Sequence, residues 1–169
     1  MEFWELARKR YSARSYRSDP VEDDKLQQVL EAACLAPTRH NQQPFQLIVI
    51  HPAGKEAELG RIYPGAHFVQ APIIICACGI PSQDLISRGV QGRRELDVGI
   101  VMDHLSLAAT DLGLGTCWIG AFDRAAAREV LGLPEDIEPL IFMTLGYTDD
   151  PGRPKVRKTL TELIRHERW

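Results

Sequence analysis

Two short basic segments near opposite ends of the chain hold the side chains best suited to bind an anion. Residues 10–14 read Arg-Tyr-Ser-Ala-Arg, and residues 154–158 read Pro-Lys-Val-Arg-Lys. Arginine presents rigid donor forks, serine supplies a hydroxyl and lysine adds a point charge, a combination that suits the phosphate of a monoester. Either segment alone is a weak signal, because charged residues near chain ends are usually just solvated. The pattern indicates a phosphate site only if the two ends meet in the folded chain.

A polar loop in the first third of the chain offers many neutral hydrogen-bonding groups. Residues 37–44 read Pro-Thr-Arg-His-Asn-Gln-Gln-Pro. Amide and hydroxyl side chains of this kind can form hydrogen bonds with the polar edge of a heterocycle. From spacing alone, the simpler interpretation is a surface loop that ends the preceding helix.

Glycines cluster in residues 113–120, Gly-Leu-Gly-Thr-Cys-Trp-Ile-Gly. The third glycine comes too late for the dinucleotide fingerprint, and the segment follows a helix rather than a strand. It is not a P-loop either, because Ala121 and Phe122 stand where lysine and serine or threonine are required. We expect Gly113 and Gly115 to end the preceding helix in left-handed conformations.

The composition is that of a soluble globular protein with one domain, residues 1–169. Hydrophobic residues make up 44% of the chain and charged residues 25%, with a net charge of −3 that argues against a nucleic-acid partner. The first ten residues lack the pattern of a signal peptide, and no stretch reaches the roughly 20 apolar residues of a membrane span. We therefore expect a cytoplasmic protein that does not bind a membrane.

The four cysteines do not form a metal-binding pattern. They stand at positions 34, 76, 78 and 117, so none belongs to a C-x-x-C pair. Cys76 and Cys78 lie in an apolar run and are predicted to be small hydrophobic residues on a buried strand. We predict no metal site.

Hydrophobic periodicity and capping residues predict alternating helices and strands. The second helix is the best marked, because Asp19 suits its N-cap, Pro20 its first position and Glu22 a capping box, while Pro37 stops it. The other predicted elements are helices at 3–9, 54–63 and 95–112, a helix capped by Asp123 that runs to Leu131, a terminal helix from Thr159 or Thr161 to about Arg168, strands at 45–50, 71–78 and 139–147, and a possible strand before Asp123.

The long helix at 95–112 is apolar on nearly all sides. Only Asp97, Asp103, His104 and Asp111 are strongly polar. Such a helix must be covered by the rest of the fold or by a second subunit, and a chain this small favours both together. A dimer is therefore predicted.

Taken together, four segments in this order resemble the nitroreductase-like family of FMN-dependent oxidoreductases. They span nearly the whole chain, and each alone is loose. The four matching segments are Arg10-x-Ser12-x-Arg14, Ala36-Pro37-Thr38-x-x-Asn41-x-Gln43-Pro44-Phe45, Gly113-Leu114-Gly115-x-x-Trp118-Ile119-Gly120, and Leu145-Gly146-Tyr147 followed by Lys155-x-Arg157. The resemblance implies an α+β fold, a three-layer α-β-α sandwich with a mixed, mainly antiparallel sheet. It also implies an intertwined homodimer with FMN in two sites at the interface.

The resemblance also assigns cofactor-binding side chains. Arg10, Ser12 and Arg14, with Lys155 and Arg157, would hold the FMN phosphate and ribityl chain. Tyr11 in the first segment is also assigned to the cofactor site. Thr38 and Asn41, with Pro37 beside them, would reach the flavin from the other subunit. The backbone of Ile119 and Gly120 would face the isoalloxazine. Trp118 is expected to pack beside the site, Asp97 to fix the long helix, and His40 to be an exposed loop residue.

The reaction implied by the resemblance is a ping-pong cycle with no catalytic side chain. NADH or NADPH would give hydride to FMN N5 and leave, and an electron-poor small-molecule acceptor such as a nitroaromatic or a quinone would then enter. Reductive dehalogenation and flavin breakdown remain alternatives within the superfamily, because a cofactor cradle does not choose the reaction. A flavin-binding redox sensor without turnover and a phosphate-ester-binding α/β domain without flavin also remain open.

Substrate preference is poorly constrained by this chain. Residues 54–94 are too few for the long helical excursion that often roofs the active site in this family. Tyr63, His67 and Arg88 lie in this segment, and the sequence gives no basis for ranking them.

Overall fold

A four-stranded sheet forms the centre of the computed structural model, which describes residues 1–81 and 94–169. All neighbouring strands are antiparallel, and their spatial order is β1-β2-β4-β3. The strands are β1 (Phe45–Ile50), β2 (Ile73–Gly79), β3 (Gly115–Ile119) and β4 (Glu138–Gly146). A parallel contact is made outside the strands by Ser12, which forms a single bridge to Thr116.

Strand β2 is the most deeply buried part of the chain. Every one of its residues is buried, because it pairs with β1 on one side and with β4 on the other. Its side chains alternate between two apolar clusters, with Ile73 and Ile75 in one and Ile74 and Cys76 in the other. A strand buried on both faces requires a layer of helices on each side of the sheet.

The described residues contain seven α-helices, five of which form these layers. The seven helices are α1 (Phe3–Lys9), α2 (Asp23–Leu35), α3 (Glu56–Ile62), α4 (Ala66–Gln70), α5 (Arg94–Asp111), α6 (Arg124–Leu131) and α7 (Leu160–Leu163). Residues of α2 and α5 pack on one face of the sheet, and residues of α3, α4 and α6 pack on the other. The predicted three-layer α+β sandwich is therefore confirmed, with a sheet whose four strands are antiparallel.

Helix α5 buries one of its sides within the chain. Val98, Val101, Met102 and Leu105 are buried in the core, whereas Leu96 is 64% exposed. The chain thus covers only part of a helix that the sequence predicts to be covered on nearly all sides. None of the helices in residues 1–81 and 94–169 is both long and apolar enough to cross a membrane.

Two predicted helix boundaries are wrong. Helix α2 begins at Asp23 with Glu22 as its N-cap, not at Asp19, because the Asp19 carboxylate instead accepts a hydrogen bond from Arg17 Nε at 2.6 Å. The terminal helix is a single turn that ends at Leu163, because Ile164 is already extended. Thr159 and Glu162 do form the capping box that begins it.

The glycines after α5 serve two different purposes. Gly113 has a φ of +78°, so it ends the helix in the predicted left-handed conformation. Gly115 does not, and the prediction for it is wrong. A Cβ atom there would lie 2.4 Å from Thr148 Cγ2 and 2.9 Å from Ala13 Cβ, so glycine is needed for close packing. Gly115 thereby lets the segment around Ala13 and the segment around Thr148 approach the same strand.

We expect Gly115→Ala to lower the free energy of unfolding by about 1–3 kcal/mol, because the added methyl group must push two backbone segments apart. Gly60→Ala is the matched control. Its Cβ would meet no atom within 4 Å in helix α3, so it should be neutral or stabilising by up to about 1 kcal/mol. Denaturant unfolding of both variants tests this, and equal stability would show that the packing at Gly115 is not tight.

Candidate functional site

The two basic segments meet in the folded chain and form one cleft. We call it the basic cleft. It has a volume of about 150 Å³ and is lined by Arg10, Tyr11, Ser12, Arg14, Arg153, Pro154, Lys155 and Arg157. Six of these residues were predicted from the sequence to bind a cofactor, and the structure adds Arg153 and Pro154. The sequence pattern indicates a phosphate site only if the two chain ends meet, and in the structure they do meet.

Asp150 connects the two ends by hydrogen bonds to the backbone. Its Oδ2 accepts a hydrogen bond from the Arg14 backbone N–H at 2.7 Å, and its Oδ1 accepts one from Gly152 N–H at 2.8 Å. The Tyr11 hydroxyl donates to the Asp150 carbonyl oxygen at 2.5 Å. The two backbone hydrogen bonds are the main reason why the pKa of Asp150 lies below its usual range. Nothing in the sequence pattern singles out this residue.

Tyr16 attaches the first segment to the sheet. Its hydroxyl lies 2.6 Å from Thr144 Oγ1 on β4 and donates to the Ala13 carbonyl oxygen at 3.1 Å. Ala13 N–H in turn donates to the Thr116 carbonyl oxygen on β3 at 2.9 Å. These bonds hold residues 12–16 along the edge of β3, so the sheet fixes the position of one wall of the basic cleft.

The cations of the basic cleft have no carboxylate partner. Among the described residues, Arg10, Lys155 and Arg157 take part in no ion pair. Lys155 Nζ donates instead to the carbonyl oxygens of Ala7, at 2.8 Å, and of Arg8 near the end of α1. Burial, and then the charges of Arg10 and Arg157, lower the pKa of Lys155. A group of cations that repel one another in this way favours a bound anion.

A second cleft adjoins the basic cleft and shares Arg14 with it. We call it the strand-end cleft, because β3 ends there. It has a volume of about 150 Å³ and is lined by Arg14, Tyr63, His67, Cys117, Trp118, Ile119, Gly120 and Ala121. The Trp118 indole Nε1 is buried and has no hydrogen-bond partner in the described part of the chain.

Tyr63 and His67 are brought into the strand-end cleft by α3 and α4. Their rings make an edge-to-face contact, with centroids 5.6 Å apart. Burial, and to a lesser extent the charge of Arg14, lower the pKa of His67, which favours the neutral imidazole. The sequence placed both residues near the site without ranking them. Arg88, which the sequence grouped with them, lies outside the described residues.

The polar loop lies apart from both clefts within one chain. Pro37, Thr38 and Asn41 line neither the basic cleft nor the strand-end cleft. Thr38 Oγ1 accepts a hydrogen bond from the Gln43 backbone N–H at 3.0 Å, and His40 is exposed as predicted. The contact of Thr38 and Asn41 with a flavin across a subunit interface therefore stays a prediction.

Comparison with known proteins shows which family has this arrangement. The sequence model of the Nitroreductase family matches residues 7–64 and 63–147, which is most of the chain. The chain belongs to the nitroreductase family. A crystal structure of a nitroreductase-family protein from Clostridium difficile has a TM-score of 0.86 and 34% identity, with all of both chains covered.

Relatives within the nitroreductase family are named for their reactions. A Thermus thermophilus protein named NADH dehydrogenase is 31% identical over 94% of this chain and 92% of its own length. A Bacillus subtilis protein named FMN reductase [NAD(P)H] is 29% identical over 92% of this chain and 69% of its own length. The family match ends at Tyr147, whereas Lys155 and Arg157 follow it, so half of the basic cleft comes from the segment beyond the match.

We expect Asp150→Ala to destabilise the chain at neutral pH, because two backbone N–H groups lose their acceptor. The folded pKa of Asp150 lies below the ordinary value of 3.8, so the carboxylate stabilises the fold fully above that pH. This contribution is lost as the pH falls through the folded pKa. Denaturant unfolding of variant and wild type should therefore give a difference that shrinks in acid.

Asp149→Ala is the matched control for this measurement. Asp149 is an exposed neighbour whose carboxylate lies 3.7 Å from Arg17 Nη1. An exposed ion pair of this kind contributes little to stability. If Asp149→Ala and Asp150→Ala destabilise the chain equally, Asp150 does not connect the two ends in the way described.

Proposed function

We propose that the chain is an FMN-dependent oxidoreductase that takes electrons from NAD(P)H and gives them to an electron-poor acceptor such as a nitroaromatic or a quinone. Membership of the nitroreductase family makes it an NAD(P)H-dependent oxidoreductase that uses a flavin. The choice of FMN, the type of acceptor and the ping-pong order are the parts that belong to the proposal. The family alone does not determine them, because one cofactor site supports several reactions.

The observation that carries the proposal is the pairing of the two clefts. The basic cleft presents Arg10, Lys155 and Arg157, which have no carboxylate partner among the described residues, and this suits a phosphate. The strand-end cleft continues from it through Arg14 and is lined by the rings of Tyr63 and His67, which suits an aromatic ring. FMN is a phosphate joined by a short chain to such a ring, so the residues present fit this cofactor.

The chain's own residues would orient the cofactor and adjust its charge distribution. Arg10, Ser12 and Arg157 would bind the phosphate end, and the backbone at Ile119 and Gly120 would lie beside the ring. Bound FMN would supply the hydride acceptor and donor at its N5 atom. Backbone N–H groups close to a ring that gains negative charge stabilise its reduced form, because they are already oriented before the charge develops.

Absorption spectra and steady-state kinetics test the proposal directly. Protein reconstituted with FMN should show the two visible bands of oxidised flavin and should oxidise NADH or NADPH when a quinone or a nitroaromatic is added. Flavin that becomes reduced but is not reoxidised by any acceptor would favour a redox sensor. Loss of the flavin bands in air would favour flavin breakdown, and halide release would favour dehalogenation. Protein that takes up no FMN would overturn the proposal.

We expect Arg157→Ala to weaken FMN binding about 10- to 100-fold, because one charge-assisted hydrogen bond to the phosphate is lost. The unfolding temperature should not change, since the Arg157 side chain is exposed and its Nη1 donates only to the neighbouring Val156 carbonyl oxygen. Lys158→Ala is the control, because it removes a charge one residue away that does not line the basic cleft. Equal FMN affinity of both variants, measured by fluorescence titration, would contradict the assignment of Arg157.

We also propose that the chain forms a homodimer with FMN at the interface. Several large apolar side chains have no cover within one chain. In the last part of the chain Leu160 is 74% exposed and Leu163 is 63% exposed, and Leu96 on α5 is exposed to a similar degree. Apolar side chains grouped on a terminal segment and on an otherwise buried helix are typical of a surface that a second copy covers.

The dimer is tested by placing charges on the terminal helix. Leu160→Glu combined with Leu163→Glu should dissociate the dimer, because burial of two carboxylates is unfavourable. Thr161→Glu is the control, since Thr161 lies between them on the same turn. Sedimentation equilibrium should give twice the chain mass for the wild type and the control, and the chain mass for the double variant. A monomeric wild type would refute the proposed dimer.

A further inference from the structure

The polar loop has an unusual backbone conformation. We call residues 38–43 the amide loop. Of the described residues other than glycine, only four have positive φ, and three of them lie here: His40 (50°), Asn41 (54°) and Gln43 (49°). Asparagine and histidine occur in this left-handed region more often than most residues, whereas for glutamine it is a strained conformation. A loop with three such residues keeps its shape only if its surroundings hold it.

The amide loop is held by hydrogen bonds among its own residues and by a hydrogen bond to the core. Within the loop, Thr38 Oγ1 accepts from the Gln43 backbone N–H at 3.0 Å, and Gln43 Nε2 donates to the Asn41 carbonyl oxygen at 3.2 Å. From outside the loop, Asp97 Oδ1 accepts a hydrogen bond from the Arg39 backbone N–H at 3.0 Å. Asp97 lies on α5, 58 residues away along the chain, so this bond fixes the loop against a rigid element of the core.

Asp97 lowers the stability of the fold at its buried position. It is 3% exposed, and its Oδ2 is buried without a hydrogen-bond partner among the described residues. A buried carboxyl oxygen without a partner destabilises a fold, so an apolar side chain would be more favourable on this face of α5. The bond that Asp97 does make goes to the strained segment. The benefit of Asp97 therefore lies in the position that it gives to the amide loop.

We infer that Asp97 is a positioning residue, which holds the amide loop in its strained conformation so that the loop can contact the flavin bound in the dimer. The inference rests on the proposed function for its second half, because the amide loop lines neither cleft of its own chain. Asp97 itself touches no cofactor in this account. It acts through Arg39 N–H and thereby sets where Thr38 and Asn41 lie.

Hydrogen exchange and FMN titration test the two halves separately. In flavin-free Asp97→Ala, the amides of residues 38–43 should exchange about tenfold faster than in the wild type, because the loop has lost its bond to α5. FMN binding should weaken about tenfold. Asp97→Asn keeps an acceptor oxygen for Arg39 N–H and should restore both values. Asp103→Ala, which removes an exposed carboxyl from the same helix, is the control and should change neither.

A second-site change separates a positioning role from simple damage to the core. His40→Gly introduces a residue that adopts positive φ without strain. In the Asp97→Ala background it should slow the loop's exchange again and recover part of the FMN affinity. Damage to the core at Asp97 would not be repaired by a change in an exposed loop residue.

The outcomes distinguish this inference from the proposed function. Unchanged loop exchange in Asp97→Ala overturns the inference, whatever the flavin does. Faster loop exchange with unchanged FMN affinity overturns its second half. If the wild type binds no FMN, the proposed function has failed, and the exchange measurement alone still decides whether Asp97 holds the loop.

Discussion

The site depends on bringing two positively charged chain ends together. Like charges at the ends repel each other, so an attractive interaction must offset the repulsion. Asp150 supplies it, because its carboxylate accepts a hydrogen bond from the Arg14 backbone N–H and its carbonyl oxygen accepts one from the Tyr11 hydroxyl. The other carboxylate oxygen accepts from the Gly152 backbone N–H within the second segment. Because the backbone takes up both carboxylate oxygens, Asp150 joins the segments without pairing with the guanidinium groups. The cations of the basic cleft are thus held close together, and among the described residues none of them forms an ion pair with a carboxylate.

The sheet decides where this meeting takes place. Ala13 binds the edge of β3 and Tyr16 reaches Thr144 on β4, so the first segment follows the sheet. The approach is possible because Gly115 has no side chain at the crossing point. The same strand then ends at Ile119, where the strand-end cleft opens. One strand therefore sets the spacing between the basic cleft and the strand-end cleft, which in the proposed function take the phosphate and the ring of one ligand.

The sequence predicted the layers and most of the basic cleft, because these depend on patterns that a sequence shows directly. Hydrophobic periodicity marked β2 and α5, and residue type marked Arg10 and Lys155. The remaining features depend on contacts and backbone angles that no pattern of neighbouring residues reveals. Asp19 fits an N-cap, but Arg17 competes for its carboxylate. The role of Asp150 needs a contact 136 residues away. The strain in the amide loop is a matter of φ angles, which no residue type there requires.

The arrangement also links ligand binding to the state of the whole fold. The Arg14 to Asp150 bond joins residues that are far apart in sequence, so the basic cleft depends on a contact between distant parts of the chain. Burial, and then the charges of Arg10 and Arg157, lower the pKa of Lys155, and a bound phosphate would offset the repulsion between these charges. Any ligand that binds only the folded chain stabilises it. Lys155 also holds the end of α1 through its bonds to Ala7 and Arg8. An anion bound at Lys155 would therefore also act on a residue that fixes the end of the first helix.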